Sequence, residues 1–199
     1  MTPSEHKEFA KEQLEKQKEL AANWHHPLSE GQTSLYRALD SMQEFKLCQE
    51  DVPLIVKLTE NPDYTTSKLF TGAVDLFSHD CIHVLLGRGL LVKDEAFVIG
   101  YTMGSGKKMK RWRRNLFLWI TKYLYPEGYQ FTEEERYIFY SGVMAGAQCS
   151  TDLSVVDFNE MLDYSVQGVR EKLGIDSEFL RCYYCTEKIM FKDKESQRL

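Results

Sequence analysis

One stretch limits the folds open to this chain more than any other. Leu69, Phe70, Ala73, Leu76, Phe77, Ile82, Val84 and Leu85 recur at helical spacing and stop at Gly87, which predicts a buried helix ending in a glycine. The same segment contains His79, Asp80 and His83, and Glu95 follows after two glycines, in "HDCIHVLLGRGLLVKDE". Polar groups carried on a buried helix need partners, because burial without them is costly.

The remaining chain also reads as helical. Residues 1–24 are rich in Glu, Lys, Gln and Ala, strong helix formers with a thin apolar face, and form a polar helical arm. Breaks fall at "HHPLSEGQT" and "NPDYTT". A short helix runs through Leu35, Leu39, Met42 and Phe45, and Asp51 caps another with Pro53 in its first turn. A long segment begins near Lys93, with "GSG" at 104–106 as a break and Pro126 and Gly128 at its end. Asp94 reads as a helix cap. Thr132 and Glu135 form a capping box. The helix after them carries Gly142 and Gly146, a spacing that lets a second helix come close. Ser154 and Asp157 open a helix with Phe158, Leu162, Val169 and Leu173 on one side and Gly174 just beyond. A last helix near 178–190 leads into a charged tail, 191–199. No period-two segment is sustained. The expectation is an all-α, single-domain helical bundle, its metal-binding domain spanning 25–190.

Composition narrows the function classes. The chain has 199 residues and a net charge of −5, which argues against general nucleic-acid binding. No apolar run reaches the ~18–20 residues of a membrane-spanning helix. The N-terminus lacks a signal-peptide core, and Glu5, Glu8, Glu12 and Glu15 are unlike a mitochondrial presequence. The five scattered cysteines, including "CYYC" at 182–185, read as reduced thiols on helix faces. A cytoplasmic protein is expected, with a peripheral place on the inner face of the membrane.

On a helix His79 and His83 point the same way, and Asp80 neighbours both. Two imidazoles and a carboxylate form a borderline site for one divalent ion, zinc first, iron or manganese next. Glu95 on the returning segment supplies a fourth ligand. Asp75, one turn before His79, is placed to accept its second N–H. Cys81 points away from the histidine face and packs. Phe77, Leu86, Phe97 and Val98 either line an apolar channel or belong to the core.

His79-Asp80-x-x-His83, eleven residues and then Glu95 resembles the signature of the coenzyme Q biosynthesis protein 4 family, and the "HVLLG" continuing it is also similar. The resemblance covers about residues 79–100. It implies a helical protein that acts on or holds a polyprenylated aromatic quinone precursor. Its role would be oxidative decarboxylation at the ring carbon bearing the carboxylate, or organisation of other quinone-biosynthesis proteins. Two other readings stay open. An HD-type phosphohydrolase would draft His25 or His26 and Asp152 or Asp157. A lipid-binding scaffold would use the metal structurally.

A second anomaly is "KKMKRWRRNLFLWITKYLY", where Lys107, Lys108, Lys110, Arg111, Arg113 and Arg114 precede Phe117, Trp119, Tyr123 and Tyr125. Cations beside amphipathic aromatics suit an anionic membrane surface. The alternatives are a solvated helix end, or phosphate or nucleic-acid contact. A homo-oligomer is open.

Overall fold

The computed structural model describes residues 23–42, 74–106, 110–125 and 130–199. Within them lie eight α-helices and no strand: α1 (Leu35–Asp40), α2 (Leu76–Leu86), α3 (Val92–Ser105), α4 (Arg111–Tyr123), α5 (Glu133–Gly146), α6 (Val166–Leu173), α7 (Ser177–Met190) and α8 (Lys194–Gln197). The all-α expectation holds. None of these helices is long and apolar enough to cross a membrane. The arm before Asn23, Phe45, the helix expected at Asp51 and Pro53, the expected helix positions Leu69, Phe70 and Ala73, and the stop at Pro126 and Gly128 lie outside the described residues.

Helices α3 and α5 make the most extensive contact among these elements, and glycine explains it. A Cβ on Gly142 or Gly146 would overlap the carbonyl oxygen of Phe97 or Tyr101, and one on Gly100 or Gly104 would overlap that of Phe139 or Val143. Each helix therefore presents two glycines, one turn apart, to the backbone of the other. Gly142 and Gly146 carry the signal seen in the sequence; Gly100 and Gly104 repeat it on the partner helix. Thr132 caps α5 as expected. Its N–H donates to Glu135 Oε2 at 2.8 Å, and its Oγ1 accepts from Glu134 N–H at 3.2 Å.

The helix expected from Ser154 onward is instead two 3₁₀ turns, Leu153–Val155 and Phe158–Met161, followed by α6. Asp152 accepts the Ser154 N–H at 3.1 Å and Asp157 accepts the Asn159 N–H at 3.0 Å. Such local bonds compete with the helical ladder. Ser165 restarts it by accepting the Gly168 N–H at 3.1 Å, and Gly174 ends it at φ 74°.

The charged segment after Met190 is part of the fold. Asp193 and Glu134 grip Lys93 Nζ at 2.5 and 2.6 Å. Glu195 accepts the Lys93 backbone N–H at 3.0 Å, Ser196 is fully buried and Arg198 pairs with Asp94. Asp94 is not the cap expected of it. It lies in the first turn of α3, and its Oδ2 accepts the Leu91 N–H at 3.1 Å.

Arg88, between Gly87 and Gly89, has no exposed surface. It donates to both oxygens of Glu187 at 2.9 and 2.6 Å and lies 4.1 Å from the Phe97 ring centre and 4.4 Å from that of Tyr184. The Glu187 carboxylate and the two ring faces replace water around the guanidinium. Burial alone would depress its pKa, but Glu187 more than offsets this, and the group stays charged.

Two outcomes check these contacts. Gly142→Ala gains about 1 kcal/mol of helix propensity, but its methyl would meet backbone that no rotamer change can move. A net loss of about 1–3 kcal/mol is expected, read as a fall in melting temperature; an unchanged or raised value would refute the close crossing. Glu187→Ala leaves Arg88 buried without its carboxylate and should cost about 3–5 kcal/mol in urea unfolding. A loss under about 1 kcal/mol would mean that Arg88 finds water.

Candidate metal centre

Helix α2 begins at Asp75. Its two carboxylate oxygens accept from Ser78, from N–H at 3.0 Å and from Oγ–H at 2.7 Å, so the residue expected to back His79 serves as the N-cap. At the other end Gly87 takes φ 66°, the left-handed conformation that glycine adopts without strain. The last carbonyls of α2 are claimed by side chains from later in the chain. Arg170 donates to Leu85 O at 2.8 Å and Val84 O at 3.5 Å, and also to Leu28 O at 2.9 Å. The Tyr184 hydroxyl donates to Leu86 O at 2.5 Å. A cation at a helix C-terminus also complements its dipole. Burial lowers the Arg170 guanidinium to about 10.

This frame fixes one turn of α2 against the start of α3. His79 and His83 have ring centres 4.7 Å apart, and their Nε2 atoms face each other at 2.9 Å. Glu95, on the first turn of α3, straddles them: Oε2 lies 2.9 Å from His79 Nε2 and Oε1 3.2 Å from His83 Nε2. One ligand atom from each of the three residues falls within 4.8 Å of the others. The exposure grades outward, with side chains 1% exposed at His83, 16% at His79 and 32% at Glu95, so the cluster has a closed and an open side.

His83 Nδ1 lies 2.7 Å from the Gly89 carbonyl. A carbonyl only accepts, so Nδ1 carries the proton. In the neutral ring Nε2 then holds a lone pair aimed at the cluster, the tautomer a metal ligand needs. The short contacts now outnumber the protons. With both rings neutral, at most the His79 Nε2–H serves three approaches: His79 to Glu95, His79 to His83 and His83 to Glu95. Either an imidazole takes a second proton or one cation stands in for the missing ones. Burial pushes the Glu95 carboxyl up, but His83 and His79 facing it more than reverse this, holding it well below the usual carboxylate range. It is the anion that both alternatives require.

Of the four residues in the sequence pattern, the structure brings together His79, His83 and Glu95. Asp80 is buried on α2 but is not one of the converging group. Along a helix it sits roughly 100° round from His79, while the histidines share a face. Leu86, Phe97 and Val98 are fully buried core residues, so they line no channel; Phe77 is half-buried against that core. Cys81 packs as expected, fully buried. Cys182 and Cys185 are exposed free thiols on α7. His26 faces the Glu30 carbonyl at 3.0 Å, and Asp152 and Asp157 cap the 3₁₀ turns, so none of the three joins the cluster. Sequence reasoning missed Arg88, Arg170, Tyr184 and Glu187. Only Arg88 carried a signal, as a cation set between two glycines in the apolar stretch Val84–Val92.

Comparison with protein-family models, with curated proteins and with solved structures finds no match for this chain.

Two imidazoles and one carboxylate are a donor set for zinc or for iron with positions left for substrate. His83→Ala and His79→Ala should each reduce bound metal to a small fraction after gentle purification, with helical content retained. Glu95→Gln keeps one oxygen donor and should weaken binding less. Elemental analysis of wild-type protein offered zinc, iron and manganese is decisive: failure to take up any of them would leave a protonated His–Glu cluster as the account.

Proposed function

We propose that this chain is a divalent-metal protein of the coenzyme Q biosynthesis protein 4 type that acts on or holds a polyprenylated aromatic quinone precursor. His79, His83 and Glu95 hold the ion, with zinc the first candidate. Asp80, buried beside them, is the fourth residue of the pattern; metal content of Asp80→Asn separates a ligand from a neighbour. The observation that supports the reading is the convergence of two Nε2 atoms and a carboxylate, one Nε2 deprotonated by the Gly89 contact. A bound ion of this class can take the carboxylate and phenol oxygens of an aromatic ring and stabilise the charge left as the carboxyl group departs. His83, the most buried of the three, and the more exposed His79 and Glu95 would hold the ion, which would supply Lewis-acid chemistry on the open side.

The test combines elemental analysis with mass spectrometry of lipid extracted from the purified protein. A polyprenylated phenol should accompany wild type and fall with His83→Ala. Metal without isoprenoid, together with hydrolysis of a phosphate ester, would replace the reading by a phosphohydrolase. Metal with neither would leave a structural ion.

A further inference from the structure

Helix α4 divides its aromatic residues between two environments. Phe117 is fully buried, stacked on Phe139 with ring centres 5.5 Å apart, and Leu118 and Thr121 are buried beside it. Trp112, Trp119 and Tyr123 are 50%, 52% and 59% exposed. At ~100° per residue these three fall within roughly 40° of one another, opposite the buried side. They form one outward stripe, with the Trp119 and Tyr123 rings 5.8 Å apart, and Leu124 is also half exposed at its end. Such large side chains rarely gather on a surface that meets only water.

The charges decide what the stripe meets. The same geometry puts Arg111 and Lys122 roughly 80–100° to one side and Arg113 a similar angle to the other. The helix carries no acid. Among the described residues Lys122 reaches Glu133 only loosely, at 3.4 Å, and no ion pair ties Arg111 or Arg113. Arg113 lies over the Trp112 ring at 5.5 Å. Arg114 falls on the inward side and is half-buried, so it leaves the set expected from the sequence; Lys107 and Lys108 lie outside the described residues.

We infer that this face of α4 is a docking surface for an anionic bilayer, on which the helix lies flat. Trp112, Trp119 and Tyr123 enter the headgroup boundary, while Arg111, Arg113 and Lys122 reach lipid phosphates and carboxylates on either side, and the exposed N-cap Lys110 adds a cation at the end of the helix. A second copy of the chain fits poorly, because a symmetric contact would set the cations of α4, which has no acid of its own, against one another. Nucleic acid would draw on the same cations, so an oligonucleotide response is one of the outcomes tested. The inference does not depend on the metal reading.

Flotation of the full chain with phosphatidylserine–phosphatidylcholine vesicles, against phosphatidylcholine alone, tests it. Wild type should float with the anionic vesicles and lose most binding at high salt. Replacing Lys110, Arg111 and Arg113 by Gln should weaken binding about fivefold for each charge removed at low salt. Trp112→Ala with Trp119→Ala, which keeps every charge, should weaken it about tenfold or more. Trp24 is buried, so a blue shift of tryptophan emission on adding vesicles reports α4. Circular dichroism and metal content should not change in either variant, which separates this test from that of the metal centre. Equal flotation of wild type and variants, or none with any, overturns the proposal. So does an emission shift produced by oligonucleotide without lipid, or self-association abolished by the two Trp changes in a protein that ignores vesicles.

Discussion

The guanidinium of Arg88 holds the structure around the candidate metal centre together. A cation without any exposed surface must have its hydration replaced, and three side chains from two helices do most of it. Glu187 of α7 supplies a two-point carboxylate, Phe97 of α3 one ring face and Tyr184 of α7 another. Arg88 sits in the turn between α2 and α3. Satisfying it ties α2 and α3 to α7 through a residue whose side chain is outside the cluster, while its backbone N–H donates to the His83 carbonyl at 3.0 Å.

The effect on the site is geometric. The turn containing Arg88 also contains Gly89, whose carbonyl takes the Nδ1 proton of His83. Fixing the peptide at Gly89 therefore fixes a ring tautomer. At the end of α2, Arg170 and Tyr184 hold the carbonyls of Val84, Leu85 and Leu86. At the start of α3, Glu195 and Asp94 satisfy the Lys93 and Leu91 N–H groups. Both ends of the interhelical turn are braced, and the distance between the histidines and Glu95 follows from those braces.

A different constraint shapes the far side of α3. Glycines on α3 and α5 replace side-chain packing with backbone contact, which leaves little slack for α3 to slide. Helix α4 then packs Phe117 against Phe139 of α5 and turns its tryptophans outward. Helix α3, closely packed on α5, thus carries Glu95, and α4, packed on the same α5, carries the surface proposed to meet a bilayer.

What the residues determined on their own is whatever helical periodicity and local capping control. The stop at Gly87, the Thr132–Glu135 box, the Gly142–Gly146 spacing and the shared face of His79 and His83 all depend on residues a turn or less apart. From the sequence Asp80 neighbours both histidines; that Glu95 joins them, and that Asp80 is not in the converging group, required α3 to fold back. Tertiary structure alone decided the matters set by distant partners. Arg88 meets a carboxylate 99 positions away, and Arg170 meets carbonyls 85 and 86 positions away. Phe97, Leu86 and Val98 became core, while Trp112 and Trp119 remained outside it. An apolar residue carries the same transfer free energy in either place; which face of its helix finds a neighbour is settled only when the helices pack.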